Sequence, residues 1–509
     1  MTTSKDVSAA ADGVLTVPAG GAGGSDAVGH VETRGIDYIP EAERHSAPKN
    51  LFWVWFGTQM TFGIIIIGWL PIVFGLSWWG AFTAITIGMI AGSFFHAAFS
   101  LLGPWTGTNS AVSSGAHFGV VGRVVGSLLA FFGAVGYGAI TVWISGDVVV
   151  YSLHSLFGTS ESNGAKAISY GIILAVMIAV SIYGHANVVA VQKLAAPVVL
   201  VLLIVGVIIL APRFDAQYAG GEYLLGSFWP TWLLSFVVAA QLPISYCSLS
   251  GDYSRYISFR RYSKRSVALA AGLGMFFGCW LAVLFAAFTA TMFPLDVHSY
   301  AEGLITISPK WYIAAVLLVG LLGSFAQGVV ALYGTGLDFS SLVPRLPRVP
   351  ATISISVVLL AIVYIGAFLT SGALEMITAF TILLAVMIMP WIVVTLIGMW
   401  ACRGRYYPLD LQVFNARATG GAYWYTRGVS VKAALTFIIA AGLGLLFVQT
   451  PPMYVGPLAN IAGGVDISMF VSAGVAAVLY GILITVSPER NHRPAHDEAL
   501  RSPVPISQH

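Results

Sequence analysis

Twelve long apolar segments constrain the fold of this chain more than any other feature of its sequence. A bilayer-crossing helix needs about 20 predominantly apolar residues. Only 9% of the 509 residues are charged, whereas soluble domains carry about 25%. The sequence therefore predicts an all-α polytopic membrane protein with 12 transmembrane helices, near residues 50–76, 79–103, 124–157, 167–184, 188–211, 229–250, 267–293, 311–334, 352–370, 373–400, 432–449 and 463–487.

The distribution of positive charge predicts how these spans are oriented. With the N-terminus inside, all but three of the 24 Lys and Arg residues fall on the cytoplasmic side, the exceptions being Lys166, Arg213 and Lys310. The expected protein lies in a cell membrane (plasma or inner) with both termini cytoplasmic. Residues 1–48 and 488–509 are polar, without an apolar signal segment, and are predicted to be disordered cytoplasmic tails. Residues 401–431 are predicted to form a cytoplasmic loop.

Spans 1 and 6 are both interrupted by small and polar residues. Those of span 1 are Gly57, Thr58, Gln59, Thr61 and Gly63, and those of span 6 are Gln241, Pro243, Ser245, Tyr246, Ser248 and Ser250. Proline removes a backbone donor, and broken backbone at membrane depth must face protein or a wet cavity. A kinked but continuous span 6 is the alternative.

The five-span separation of these interruptions predicts two inverted five-helix repeats, as in secondary transporters. The repeats would comprise residues 49–211 and 228–400, a ten-helix core of residues 49–400 with a site between the first helices of the repeats. Residues 432–487 would add two peripheral helices.

Other classes of protein fit the sequence poorly. Within the spans we find no paired carboxylates, no His-x-x-x-His set and no Ser/His/Asp constellation, so an enzyme is not expected. Cys247, Cys279 and Cys402 lack metal-ligand spacing, and we expect no cofactor or firm metal site. No basic cluster with interleaved aromatics indicates nucleic acid, and no soluble sensing domain or charged ring indicates a receptor or channel.

Four motifs give the chain a family resemblance. They are Gly103-Pro104-Trp105-Thr106-Gly107, Phe118-Gly119-x-x-Gly122, Gly251-Asp252-Tyr253-Ser254-Arg255-Tyr256 and Leu332-Tyr333-Gly334-Thr335-Gly336-Leu337. With the topology, they resemble the purine–cytosine permease family, the nucleobase:cation symporters, over residues 35 to 487. The resemblance implies alternating access and import of cytosine or a purine with H⁺ or Na⁺. The alternative is a related heterocycle: allantoin, a hydantoin or a vitamin precursor. We expect a monomer in the lipid bilayer.

The resemblance also implies a set of site residues. The polar break adds Gln59, whose alternative is a hydrogen bond to neighbouring backbone. The substrate-binding residues would be Gln59, Phe62, Gly63, Ala134, Tyr137, Gln241, Leu242, Pro243, Ser245, Phe325, Gln327 and Gly328. The coupling cation would be held by Thr58, Thr61, Ser324 and Gln327, with Thr58 and Thr61 as candidate Na⁺ ligands. Asp252 and Arg255 would be structural or gating residues.

The chain departs from the familiar members at several of these positions. Cytosine-transporting members carry glutamine and tryptophan where this chain has Ala134 and Tyr137, so Tyr246, Phe62 or Phe325 would supply stacking faces. Sodium-coupled members place adjacent hydroxyl residues where this chain has Ala326-Gln327, which favours protons.

Asp147, in span 3, has two interpretations. It is either a proton carrier or a carboxylate at the outer, wetter end of a long helix. A carrier predicts that Asp147→Asn removes any pH dependence of uptake. His96, in span 2, is interpreted as a hydrogen-bonded packing residue.

Overall fold

The computed structural model describes residues 35–488, apart from 183–184, 295–296, 298, 343–347, 370–372, 452 and 464. Outside this range it also describes three strands of two residues each. Most of both predicted tails therefore lies outside the described residues. Residues 35–47 are an exception, because they fold against the bundle: Ile39 and Arg44 are buried, and Ile39 N donates to Gly107 O over 2.9 Å. The predicted boundary of a disordered tail at residue 48 is thus too late.

The described chain is almost entirely helical. Its α-helices are α1 (Pro48–Thr58), α2 (Phe62–Ile65), α3 (Trp69–Val73), α4 (Trp78–Phe99), α5 (Leu102–Thr106), α6 (Ser110–Phe118), α7 (Val124–Phe157), α8 (Asn163–Ser181), α9 (His185–Leu210), α10 (Phe228–Ser245), α11 (Cys247–Ser254), α12 (Lys264–Ala290), α13 (Tyr300–Ile307), α14 (Lys310–Leu342), α15 (Arg348–Leu369), α16 (Ala373–Ala401), α17 (Val431–Leu445) and α18 (Ser468–Val486). Short 3₁₀ turns cover Glu41–Glu43, Ile66–Gly68, Ala211–Arg213, Asp410–Gln412 and Ala459–Ala462.

Strands are short and peripheral. β1 (Ser8–Ala9) pairs with β2 (Leu15–Thr16), β3 (Ala418–Thr419) with β6 (Ser507–Gln508), and β4 (Gln449–Thr450) with β5 (Tyr454–Val455), all antiparallel.

Ten of these helices are long and apolar enough to cross a membrane, and an eleventh span is formed by a bent pair. The bent pair is Pro48–Thr58 with Phe62–Val73, at an angle of 70°. α17 has 15 residues, which spans about 22 Å at 1.5 Å per residue against a hydrocarbon core of about 30 Å. Each predicted span has its helix, but α17 is short, so the count of twelve crossings is not established.

Helix contacts follow the pseudo-symmetry expected of two inverted repeats. α1 of the first repeat packs on α12 of the second, and α10 of the second packs on α4 of the first. α1 also packs on α9 just as α10 packs on α16, while α7 and α14, the third helix of each repeat, pack on each other. Exchanging the repeats maps each contact onto its counterpart, so the first helices of the repeats lie in equivalent places in the bundle.

The two first helices differ at their expected breaks. In the first repeat, residues 59–61 are not helical, and Thr61 is extended at φ −143°, ψ 152°. In the second, Pro243 lies inside α10, and only Tyr246 separates α10 from α11, at φ −76°, ψ −5°. Phe228–Ser254 runs as one span, so of the two alternatives for span 6 the kinked but continuous helix holds.

Glycines of α4 explain why Pro243 does not break span 6. A methyl group on Gly92 would overlap Ala240 O and contact the Pro243 ring, and one on Gly88 would meet Phe236 O. The two helices therefore approach at backbone distance here. A neighbouring helix this close supports a proline-containing span, because it packs around the distorted turn.

Candidate functional site

A small internal cavity lies where α7, α14 and the α10–α11 junction meet. It is lined by Gly133, Ala134, Tyr137, Ser245, Tyr246, Ser248, Leu249 and Ala331. It has room for about one water molecule, which is too little for a ring-shaped ligand. Three predicted substrate residues, Ala134, Tyr137 and Ser245, line it.

Aromatic rings form one wall of the cavity. Tyr137 and Tyr246 stack with centroids 5.9 Å apart and planes 26° apart, and Phe380 of α16 meets Tyr137 edge-on at 5.4 Å. Tyr246 is one of the three residues predicted to supply a stacking face. Phe380 was missed by sequence reasoning, because an aromatic residue in a largely apolar span carries no signal and only the fold brings it to Tyr137.

Gln327 connects this wall to α7. Its Nε2 donates to Tyr246 Oη over 2.9 Å, and its Oε1 accepts from Thr141 Oγ1. The Gln327 amide is therefore held in one orientation beside the aromatic pair. Thr141 was also missed, since a lone threonine in an apolar helix carries no sequence signal.

Two other glutamines have no such restraint. Gln59 and Gln241 are fully buried, and neither amide has a hydrogen-bond partner among the described residues. Gln241 lies one turn before Ser245, on the same face of α10. A buried amide without a partner is costly, so amides of this kind indicate groups that a ligand would satisfy.

The break in span 1 packs against α14 and α12 through glycines. A methyl group on Gly323 would overlap Met60 O and Thr61 Cα, and one on Gly278 would meet the Gln59 side chain at 3.1 Å. Within this break Thr61 Oγ1 has no partner among the described residues. The break thus presents freed backbone and hydroxyl groups to the neighbouring helices.

Gly323→Ala is expected to disrupt this packing and lower uptake strongly, because the added methyl group meets backbone that cannot yield. The matched control is Gly328→Ala on the same helix, since its methyl group would meet only the flexible Met177 side chain. Thermal stability and uptake of the two variants in proteoliposomes test this. Equal uptake by Gly323→Ala and wild type would contradict it.

The predicted cation residues have hydroxyls bonded within their own helices. Thr58 Oγ1 donates to Val54 O over 2.5 Å, and Ser324 Oγ donates to Leu321 O over 2.9 Å. A hydroxyl that donates its proton keeps oxygen lone pairs, so these oxygens, with Thr61 Oγ1, remain able to accept a cation. They fit a hard monovalent ion better than a transition metal, for which the described residues hold no group of three His, Cys, Asp or Glu ligands.

Several predicted site residues lie away from the cavity lining. Phe62 points its ring toward Tyr300 of α13, at 6.4 Å, and Gly63 packs against Thr141. Pro243 packs against Gly92, and Gly328 packs against Met177 of α8. Leu242 is part of the buried core, and Phe325 is half-buried outside the lining.

Asp147 lies in an ion-pair network in the C-terminal half of α7. It accepts from Tyr170 Oη over 2.7 Å and lies 3.6 Å from Lys166 Nζ, which also donates to Tyr151 Oη over 3.1 Å. Ten residues separate Asp147 from Tyr137, about 15 Å along the helix. This ion-paired placement, away from the cavity, favours a structural carboxylate over a proton carrier.

Asp147→Asn is therefore expected to lower the melting temperature while leaving the pH profile of uptake unchanged, because it strands the partly buried Lys166 charge. The double variant Asp147→Asn/Lys166→Met should regain part of the lost stability. A pH profile flattened by Asp147→Asn would instead restore the carrier interpretation.

Asp252 and Arg255 join elements at the opposite end of the bundle. Ser110 N donates to Asp252 Oδ1 over 3.3 Å, while Arg255 donates to Gly35 O over 2.7 Å and to Tyr333 Oη over 3.1 Å. Asp338 of α14 lies buried near Asp252 and accepts from Asn109. These contacts fit the predicted structural or gating role; Asp338 was missed.

A bent first span against a pseudo-symmetric partner, with a cavity at mid-bundle, is the architecture of a secondary transporter. The sequence profile of a family described as permeases for cytosine/purines, uracil, thiamine and allantoin matches residues 38–472. The chain belongs to this family. It is a multi-pass membrane transporter and not an enzyme.

Similar proteins agree with this assignment. YxlA of Bacillus subtilis (strain 168), whose name describes a purine-cytosine permease, is 25% identical over 93% of this chain and 99% of its own length. Mhp1, a nucleobase-cation-symport-1 family transporter solved closed with bromovinylhydantoin bound, has a TM-score of 0.70 at 17% identity, covering 90% of this chain and 99% of Mhp1. A Na⁺-coupled sialic acid symporter in an outward-open state has a TM-score of 0.56 at 13% identity, covering 88% and 91%.

Proposed function

We propose that this protein imports a nucleobase, cytosine or a purine, together with a cation by alternating access. The observation that carries the proposal is the Tyr137–Tyr246 stack with the Gln327 amide fixed beside it. A nucleobase is flat and has hydrogen-bonding edges, so it requires both an aromatic face and oriented amides. Stacking on an aromatic side chain stabilises a bound base by roughly 1–3 kcal/mol.

Edge recognition would come from the buried glutamines. Gln241 and Gln59 have amides without partners among the described residues, and each can both donate and accept. A ligand that lacks matching edge groups leaves these amides unsatisfied and is rejected at a cost of about 1–3 kcal/mol each. Since the cavity is smaller than a base, the two tyrosine rings have to separate on binding.

A related heterocycle is the second candidate substrate. Mhp1 is solved with a hydantoin derivative bound, and the family description includes allantoin and thiamine. Hydantoins and allantoin share the planar ring and cyclic urea edge that the amides would read. Ala134 and Gly133 leave one side of the cavity without large side chains, which supports a ring that carries a substituent.

The coupling ion is H⁺ or Na⁺, and its proposed binding place is the break in span 1 facing α14. Thr58, Thr61 and Ser324 supply hard oxygen atoms there, which supports Na⁺. Because Asp147 is engaged in an ion pair, proton coupling would require another carrier.

Uptake of radiolabelled cytosine into proteoliposomes tests the proposal, with unlabelled purines, hydantoins and allantoin as competitors. We expect accumulation only when a Na⁺ or H⁺ gradient is imposed, with the two applied in turn. Uptake driven by Na⁺ that Thr61→Ala weakens would support the span-1 site. Absence of both transport and competition by any nucleobase would reject the substrate and leave the heterocycle alternative.

The proposed orientation has both termini in the cytoplasm, so the end of the bundle carrying Arg255 and residues 35–47 faces inward. This follows from the Lys and Arg distribution. Cysteine labelling of engineered positions with a membrane-impermeant reagent tests it: positions beside Lys166 should react from outside, and positions beside Arg405 only after permeabilisation.

A further inference from the structure

Trp105, at the end of the bundle that contains α5, lies beside two loops that carry several cations. Two loops distant in sequence meet at this indole. Lys264 Nζ lies 5.1 Å from its ring centroid, and the Phe259 ring lies 5.7 Å away. Gly404 packs so closely that a methyl group there would overlap the indole. The cations flanking these contacts are Arg260, Arg261, Lys264, Arg265, Arg403 and Arg405.

Within the part of the chain that the structure describes, these six cations have no carboxylate to neutralise them. All are exposed, and among the described residues no carboxylate lies within salt-bridge distance of any of them. Like charges gathered without a counter-ion repel one another, so such a cluster favours an anionic partner. We name it the Trp105 cation cluster.

An apolar stripe on α12 leads directly to this cluster. Leu269, Leu273 and Phe277 follow Arg265 at four-residue intervals, and their exposed fractions are 60%, 45% and 40%. Residues four apart share a helix face. In a membrane span, a face of large exposed apolar residues contacts acyl chains, so Arg265 lies where that face meets the headgroups.

A second apolar stripe lies beside the first, on α4. There Ile90 and Phe94 are 55% and 72% exposed. Gly272 of α12 packs against Ala97 of α4 near the same end, which holds the two helices together there. Both helices of this pair therefore expose large apolar residues of the kind that contacts lipid.

The other loop, which carries Arg403 and Arg405, follows an exposed tryptophan. Trp400, at the end of α16, is 80% exposed, and exposed tryptophans at span ends lie at the membrane–water interface. Arg403 follows with φ 53° and Gly404 with φ 70°. This left-handed turn brings the chain back onto Trp105 and leaves Arg403 and Arg405 exposed at its rim.

We propose that the Trp105 cation cluster binds an anionic phospholipid, with the phosphate group among Lys264, Arg265, Arg403 and Arg405 and an acyl chain along the α12 stripe. The lipid would join the loop after α11 to the loop after α16. In the proposed orientation this end faces the cytoplasmic leaflet, where anionic lipids attract Lys and Arg beside spans. Nothing in this site takes part in substrate binding.

Native mass spectrometry of the purified full chain, titrated with phosphatidylglycerol or phosphatidylcholine, tests this proposal without a transport assay. We expect phosphatidylglycerol to be retained at least fivefold more tightly than phosphatidylcholine. R265Q/R405Q should abolish that preference. The matched control R417Q/R427Q removes two exposed arginines from the same loop, away from Trp105, and should leave the preference within twofold of wild type.

Two results would overturn the proposal: equal retention of the two lipids by wild type, or an unchanged preference in R265Q/R405Q. If R265Q/R405Q does not elute as a monodisperse peak, the lipid preference of wild type is measured at about 0.5 M salt instead. Screening at that ionic strength should remove the preference. A preference that withstands salt would also overturn the proposal. A failure of cytosine uptake has no bearing on these outcomes.

Discussion

Tyr246→Ala is expected to weaken substrate binding by roughly 5- to 150-fold. The change removes one ring of the Tyr137–Tyr246 stack, and stacking on a base is worth roughly 1–3 kcal/mol, with each 1.4 kcal/mol equal to tenfold. It also removes the acceptor for Gln327 Nε2, so the amide loses the bond that orients it toward Tyr246. The measurement is the concentration dependence of cytosine uptake, with total protein in the membrane matched between variants.

Tyr246→Phe separates the two contributions of this residue. Phenylalanine keeps the stacking face but leaves Gln327 without its hydroxyl acceptor, so a smaller loss of affinity is expected. The matched control is Tyr253→Phe, which also removes one buried hydroxyl bond, to Val330 O at 3.0 Å, but at a residue outside the cavity lining. Affinity of Tyr246→Ala within twofold of wild type would exclude the ring as a stacking face.

The bundle was predictable from sequence because hydropathy and glycine placement are local signals. The third predicted span, 124–157, coincides with α7, and the polar residues from Gly57 to Gly63 mark the bend between α1 and α2. Both results follow from what hydrocarbon requires of a single segment. The inverted repeat was likewise predicted from the five-span separation of the polar residues in spans 1 and 6.

The sequence was insufficient where distant segments decide the outcome. Pro243 is compatible with either a broken or a kinked helix when span 6 is considered alone, but Gly88 and Gly92 of α4 let the two backbones meet and the span is continuous. Residues 35–47 are polar and appear tail-like in sequence, yet they are held by bonds to Gly107 and Arg255 that lie far away in the chain. Sequence patterns carry no record of such contacts.

The candidate site was only partly predictable, because some of its residues stand out in the sequence and others do not. Tyr137, Ser245 and Gln327 belong to helices whose polar residues stand out against apolar surroundings. Phe380 and Thr141 do not stand out, since an aromatic or hydroxyl residue in a span usually packs against its neighbours. Their position beside Tyr137 and Gln327 follows only from how α16 and α7 are arranged.

Gln241→Ala is expected to abolish uptake while leaving the protein at least as stable as wild type. The Gln241 amide is fully buried without a partner among the described residues, which costs about 1–3 kcal/mol in the substrate-free state. Removing it relieves that cost, and the small void left by the shorter side chain offsets part of the gain. Such an amide costs stability in the substrate-free protein. Its presence is explained if the amide forms hydrogen bonds with the substrate when the substrate binds.

Gln192→Ala provides the opposite case within the same bundle. Gln192 is equally buried, but its Nε2 donates to Ala326 O over 2.7 Å, joining α9 to α14. Loss of the Gln192 side chain should lower the melting temperature, because the Ala326 carbonyl then has one hydrogen bond fewer. Uptake by Gln192→Ala should fall only in proportion to the amount of folded protein. Thermal unfolding in detergent and cytosine uptake, measured on both variants, separate the roles. Normal uptake by Gln241→Ala would remove Gln241 from the site, whereas a loss of stability equal to that of Gln192→Ala would make it a packing residue.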